Sequence, residues 1–168
     1  MARRSSRRKV RVAFIGAGPR AVEAHYKSIR DLGEAEICAI AELDEERMKR
    51  AAADFGVQNL YHDYQRMLER ERPDVVYAIM PPHHLYDVAA TVLERGFNLV
   101  VEKPPALTAE QTRQLALLAR KRKVLAAVTF QRRFSPVVRT GKKLCEKRGK
   151  VHSAVATFYK NHLGKPPY

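Results

Sequence analysis

Apolar and polar positions along this chain follow two alternating rhythms. Short runs of consecutive apolar residues have the pattern of strands buried on both faces. They recur between longer stretches in which apolar residues sit three and four apart, as on one-sided helices. The first run, residues 12–15, ends at once in Gly16-Ala17-Gly18-Pro19. Residues 19–32 then place Ala21, Ala24, Tyr26 and Ile29 among polar neighbours, which predicts a helix stopped by Gly33. Pro19 sits in its first turn, where a missing N–H is tolerated.

Strands are predicted at 35–41, 74–79, 97–101 and 124–128, with helices at 44–55, about 64–70, 84–95 and 108–121. Asp44, Asp63 and Thr108 read as N-caps of three of them, and Gly56 and Gly96 as stops. A further helix is expected at 134–147, with Pro136 near its start. Residues 151–160 alternate strongly enough to predict a strand of another kind, with Val151, Ser153, Val155, Thr157 and Tyr159 on one face, and residues 161–168 show no periodicity. Five strands separated by helices predict an α/β fold with a parallel sheet and right-handed crossovers.

Composition narrows this picture in three ways. With 168 residues, 45% of them hydrophobic, the chain is expected to form one globular domain with a sizeable core. No apolar run has the length of a bilayer span, and the basic start does not lead into a secretory signal, so a cytoplasmic protein is expected. Cys38 and Cys145 lack metal-site spacing; Cys38 reads as a small core residue, and neither a disulfide framework nor a metal site is expected.

The net charge of +14 raises nucleic-acid binding as a reading. Residues 1–11 carry +6 of it and residues 139–150 carry +5. Residues 1–9, rich in Arg and Ser, read as a solvated, disordered arm, and no recognition motif accompanies the charge, so a specific nucleic-acid partner is not expected.

The glycine turn carries the first candidate chemistry. A strand that ends at Gly16-x-Gly18 and opens a helix at Pro19 points backbone N–H groups and a positive helix end at one place, which suits a pyrophosphate. Ordinary tight turns share this spacing. Glu42 adds to it, because it ends the second strand 24 residues after Gly18, where a carboxylate can accept hydrogen bonds from ribose hydroxyls. That favours NAD over NADP, although Arg47 one turn later could soften the repulsion of a 2′-phosphate. A solvated strand-end acid is the bland alternative. Glu102-Lys103-Pro104 closes another strand, and two prolines fix the backbone so that Lys103 is expected beside the crevice rather than in open solvent. A lysine there can relay a proton while hydride leaves the same carbon. Taken alone, the tripeptide also reads as a charged loop.

The stretches 16–21, 41–47, Pro81-Pro82, 101–104 and 131–136 together resemble the N-terminal half of the Gfo/Idh/MocA oxidoreductase family, over about residues 9–159. The resemblance implies a Rossmann-type doubly wound sheet that binds a nicotinamide dinucleotide. It assigns Gly16, Ala17, Gly18, Pro19, Arg20, Glu42, Met80, Pro81, Pro82, Glu102 and Arg132 to the cofactor and crevice, and Lys103 to catalysis. The reaction it implies is hydride transfer to or from a sugar or polyol carbon.

Glu42 stands where the family commonly has aspartate, and Met80-Pro81-Pro82 where many members have Thr-Pro-Asn. Leu85 lies near a common histidine position, and His83 and His84 read as surface residues at a helix start. Members carry a second α+β domain that supplies the substrate pocket, of which only residues 151–160 resemble the first strand. The expected organisation is therefore a basic arm at 1–9, a Rossmann domain at 10–148 and a truncated remnant at 149–168, with poor activity alone. The unpaired strand 151–160 could join two copies into a homodimer. A non-catalytic dinucleotide-binding or partner-binding module is the alternative reading.

Overall fold

In the computed structural model, residues 8–157 are described. They divide into a first unit, ending at Thr129, and a second that begins at Phe130.

The first unit is a six-stranded parallel sheet with helices on both faces. Its strands are β1 (Val10–Ile15), β2 (Ala35–Ala41), β3 (Leu60–Tyr61), β4 (Val75–Ala78), β5 (Asn98–Val101) and β6 (Ala126–Val128). Their order across the sheet is β3-β2-β1-β4-β5-β6, and every pairing is parallel. The chain winds outward from β1 to β3, returns to β4 beside β1, and winds outward the other way. The crevice of such a sheet opens at the carboxyl ends of β1 and β4, where the winding reverses.

The helices are α1 (residues 19–31), α2 (Glu45–Phe55), α3 (Tyr64–Glu71), α4 (Pro82–Glu94) and α5 (Ala109–Arg122). Asp44, Asp63 and Thr108 each accept a backbone N–H at a helix start, as their positions predict. Gly56 and Gly96 turn the chain with φ of +69° and +81°. Helix α4 begins two residues before the predicted start, because Pro82 can occupy a first turn. The two-residue β3 was not expected; Leu60 and Tyr61 are too short a run to carry a period, and they become a strand by pairing with Ile40 and Ala41.

All four apolar residues of 12–15 are buried because β1 is covered on both sides. Val12, Phe14 and Ile40 pack with Tyr26, Ile29, Met48 and Ala51 of α1 and α2. Ala13, Ile15, Ala39 and Val76 pack on the opposite face with residues of α3, α4 and α5, among them Met67, Leu85, Val92 and Leu115. Cys38 packs against this second cluster, and burial raises its thiol pKa to about 11.

Helix α1 departs from the regular pattern. Its stretch Ala21–Tyr26 is π-helical, followed by an α-helical Lys27–Asp31. Tyr26 is fully buried, its ring stacked on Phe14 with centroids 3.9 Å apart. Its hydroxyl donates to the Gly16 carbonyl at 3.2 Å, so the helix is bonded to the glycine turn that precedes it.

Arg8 belongs to the expected solvated arm, yet it pairs with Asp74 at 2.5 Å while the Arg11 N–H donates to the same carboxylate. Asp74 precedes β4, next to the start of β1, so its charge draws both groups. The rest of the arm, 1–7, lies outside the described residues. Among the described residues no helix is long and apolar enough to cross a membrane.

In the second unit, Gln131–Phe134 is a 3₁₀ turn and Pro136–Arg148 is helix α6, on which no residue is buried. Residues 151–157 carry neither helix nor strand, so the strand predicted at 151–160 is not formed over its described part. A strand needs a ladder partner, and alternation alone does not supply one. Residues 158–160 lie outside the described residues.

Phe14→Ala should lower the unfolding free energy by about 3–5 kcal/mol, as for other buried aromatics. Tyr26→Phe should cost only about 1 kcal/mol, since it removes one hydrogen bond. Urea unfolding followed by circular dichroism checks both.

Candidate functional site

Gly16 holds the tip of β1. Its φ is +103°, and a Cβ built there would lie 2.1 Å from the Ile79 carbonyl oxygen just after β4. The turn is therefore pressed against the neighbouring strand and admits only glycine. Its N–H donates to the Ala41 carbonyl at 2.8 Å, and the Ile79 N–H donates to Ile15 at 2.9 Å, so the ends of β1, β2 and β4 are tied together. Gly18 differs: a Cβ there would meet nothing within 4 Å. Its missing side chain leaves open room in front of the first turn of α1, where N–H groups have no intrahelical partner. That is the shape a pyrophosphate needs, and these residues fit the phosphate end of a dinucleotide.

Glu42 follows the last residue of β2 and reaches back to the turn. One carboxylate oxygen accepts the Ala17 N–H at 2.7 Å, and the other accepts Leu43 N–H at 2.8 Å and Asp44 N–H at 3.1 Å. The acid is thereby fixed beside the glycine turn. Arg47, the basic residue near it, is turned to Asp44 at 3.1 Å.

Met80, Pro81 and Pro82 leave β4 at the crevice and lead into α4, with Pro81 exposed and Met80 and Pro82 half-buried. His83 and His84 lie exposed in the first turn of α4, as expected of surface residues. Glu102 and Lys103 follow β5, and the Glu102 N–H donates to the Ala78 carbonyl at the end of β4. The Lys103 side chain is exposed, contrary to the expectation that it is kept from open solvent. The prolines constrain its backbone, and the Lys103–Pro104 peptide is cis, but they do not enclose its side chain.

Glu102 itself is buried, 5% exposed. One oxygen accepts from Arg20 Nε at 3.0 Å and lies 3.3 Å from His25 Nε2, while the other accepts the Lys103 N–H at 2.7 Å. Burial by itself would push this carboxyl up. The Lys103 N–H, the Arg20 guanidinium and the Thr129 hydroxyl outweigh it and hold the group below its ordinary 4.5. Burial holds the His25 imidazole below its ordinary 6.5, against the pull of Glu102.

His25 and Thr129 escape sequence reasoning. No periodic pattern marks a histidine five residues beyond Arg20 as its neighbour, because that spacing leaves the face of an ordinary helix. The structure thus gathers Gly16 to Arg20, Glu42, Met80 to Pro82, Glu102 and Lys103 around the carboxyl ends of β1, β2, β4 and β5. Arg132 lies in the 3₁₀ turn of the second unit. An apolar groove of about 320 Å³ beside β6, lined by Leu93, Leu99, Leu115 and Val128, includes none of these residues. Among the described residues no cluster of three or more His, Cys, Asp or Glu side chains could hold a metal ion.

A family model described as "Oxidoreductase family, NAD-binding Rossmann fold" (Gfo/Idh/MocA) matches residues 10–130. The chain belongs to this family. D-glucoside 3-dehydrogenase of Escherichia coli K12 is 33% identical to this Gfo/Idh/MocA chain over 126 residues, covering 75% of the chain and 36% of that enzyme. The WlbA dehydrogenase from Bordetella pertussis, solved in complex with NADH and UDP-GlcNAcA, matches with a TM-score of 0.78 at 26% identity, over 83% of the chain and 40% of its own. The 3-ketoreductase KijD10 from Actinomadura kijaniata, solved in complex with NADP, matches with a TM-score of 0.77 at 26% identity, over 83% and 44%. The chain thus spans little more than a third of the length of that curated relative. The expected family and Rossmann fold are borne out, and the assignment to an oxidoreductase family supports NAD(P) binding without separating NAD from NADP.

Gly16→Ala should destabilise the fold by more than about 3 kcal/mol, since it combines a strained φ with a backbone clash. Gly18→Ala should leave thermal unfolding nearly unchanged, which differential scanning calorimetry of both variants checks.

Acid should lower stability in two stages. His25 and Glu102 both have folded-state pKa values below their unfolded ones, so the unfolded chain takes up more protons as pH falls. The first loss begins near the ordinary His25 value of 6.5 and the second near the ordinary Glu102 value of 4.5. In melting curves across this range, His25→Gln should flatten the first stage and Glu102→Gln the second.

Proposed function

We propose that residues 10–130 bind a nicotinamide dinucleotide, NAD in preference to NADP. In this reading the polypeptide serves hydride transfer to or from a sugar or polyol carbon. The observation that carries the cofactor preference is Glu42, a carboxylate fixed on the glycine turn by the Ala17 N–H at 2.7 Å. Ribose hydroxyls can donate to such a group, whereas a 2′-phosphate would face a like charge. The neighbouring Arg47 is already paired with Asp44, which supports the same choice.

The Gly16–Arg20 turn holds the pyrophosphate, with the open space at Gly18 admitting it. Met80, Pro81 and Pro82 line the side nearer the nicotinamide. When bound, the dinucleotide accepts or supplies hydride at its nicotinamide ring. Lys103 takes the proton of the substrate hydroxyl in oxidation and returns it in reduction, from the loop that ends β5. The sugar and nucleotide-sugar enzymes among the relatives support the substrate class.

Calorimetric titration with NADH and NADPH tests the reading. NADH should bind at least about tenfold more tightly, a difference of about 1.4 kcal/mol. Glu42→Ala should narrow that gap. Gly18→Ala should weaken both cofactors while the protein stays folded. Binding of neither cofactor to the wild-type chain overturns the reading. NADH binding without polyol oxidation, and with no effect of Lys103→Ala, favours the non-catalytic dinucleotide module instead.

A further inference from the structure

Glu102 has its oxygens turned into the protein, and the way they are held requires an irregular helix. Arg20 and His25 both address the same oxygen, at 3.0 and 3.3 Å. They stand five residues apart. In a regular α-helix, side chains five apart point about 140° away from each other. In a π-helical turn the hydrogen bond spans one residue more, so positions five apart come nearly above one another. The turn Ala21–Tyr26 is π-helical; it begins immediately after Arg20 and contains His25. The His25 side chain is 12% exposed and that of Glu102 is 7% exposed, so this contact is largely shielded from water.

The second Glu102 oxygen accepts the Lys103 N–H at 2.7 Å. A carboxylate in this position connects two parts of the crevice. Through Arg20 it is joined to the glycine turn, which Tyr26, also in the π-helical stretch, bonds at the Gly16 carbonyl. Through its other oxygen it fixes the backbone from which the Lys103 side chain departs. A charged acceptor makes the stronger kind of hydrogen bond, and a neutral amide in its place would lose the pairing with Arg20.

We propose that Glu102 is a positioning residue rather than a cofactor contact: the π-helical turn of α1 brings Arg20 and His25 to its carboxylate, which in turn sets the backbone of Lys103. This deepens the dinucleotide reading above and rests on it for the role of Lys103. It also differs from the role that family resemblance suggests for Glu102, direct contact with the dinucleotide.

The reactivity of Lys103 provides the test. The full chain is treated briefly with pyridoxal 5′-phosphate and borohydride, without nucleotide, and Lys103 labelling is quantified by peptide mass spectrometry relative to the exposed Lys121. Glu102→Gln should change that ratio by about threefold or more, and Glu102→Asp should give an intermediate value because it keeps the charge but loses reach. Arg20→Ala and His25→Gln each remove a partner of the Glu102 oxygen opposite the one that accepts the Lys103 N–H, and each should shift the ratio in the same direction. Adding Arg20→Ala to Glu102→Gln should then produce little further change, the non-additivity expected of groups acting through one another.

The same variants are titrated with NADH, with circular dichroism as the check on folding. Weakened NADH binding together with an altered labelling ratio supports the inference. Weakened binding with an unchanged ratio in Glu102→Gln overturns it in favour of direct cofactor contact, and a lower melting temperature with neither change reduces Glu102 to a structural role. If Glu102→Gln does not fold, Arg20→Ala and His25→Gln decide the matter, and an unchanged ratio in both overturns it. Failure of the wild-type chain to bind NADH sinks the dinucleotide reading, whereas the labelling ratios, measured without nucleotide, still decide the role of Glu102.

Discussion

Residue 16 can have no side chain, because the Ile79 carbonyl oxygen lies 2.1 Å from where its Cβ would be. That close approach ties the end of β1 to the chain leaving β4, at the one place in the sheet where the winding reverses. The rest of the crevice hangs on it. The Gly16 N–H bonds the end of β2, Tyr26 bonds the Gly16 carbonyl from α1, and the next residue, Ala17, donates to Glu42. A turn held from three sides keeps the positive end of α1 aimed at one spot without help from a ligand. Preorganisation of this kind lowers the ordering cost of binding a charged partner.

Glu102 is the second organising group, and it works by charge rather than by shape. A buried carboxylate is expensive unless its oxygens are all met. Here burial is opposed by a guanidinium, a backbone N–H and a hydroxyl, and the net effect is an acid that remains ionised more readily than usual. The π-helical turn of α1 belongs to the same solution. It supplies Arg20 and His25 to one oxygen, and it also presents Tyr26 to Phe14 and to the glycine turn. An irregular helix is therefore the element on which the core and the crevice both draw.

Membership in the Gfo/Idh/MocA family agrees with this division of labour. The matched residues, 10–130, carry the sheet, the glycine turn, Glu42 and the Glu102-Lys103 pair. Helix α6 bears exposed Val137, Val138 and Leu144 and buries none of its residues within its own unit. The chain covers 75% of its own length but only 36% of D-glucoside 3-dehydrogenase in their alignment. The parts of the crevice that are closed and held are those formed within the first unit. Lys103, the residue proposed to meet a substrate, is exposed there.

Residue order by itself determined the strand-helix alternation, because a strand buried on both faces must be a continuous apolar run and a one-sided helix must repeat at three and four. It also located most helix starts, since Asp44, Asp63 and Thr108 act on N–H groups two or three residues away. Gly16, Glu42 and Glu102-Lys103 were legible for the same local reason: each sits where an apolar run ends. Only the tertiary structure decided what these residues touch. Two-residue β3 exists by virtue of its neighbour β2, and the alternation at 151–157 yields no strand because a ladder needs a second chain segment. His25 reaches Glu102 across 77 residues, through a π-helical turn that no local pattern announces. Burial and long-range pairing depend on which surfaces meet, and that is set by the packing of the whole sheet rather than by any stretch of its sequence.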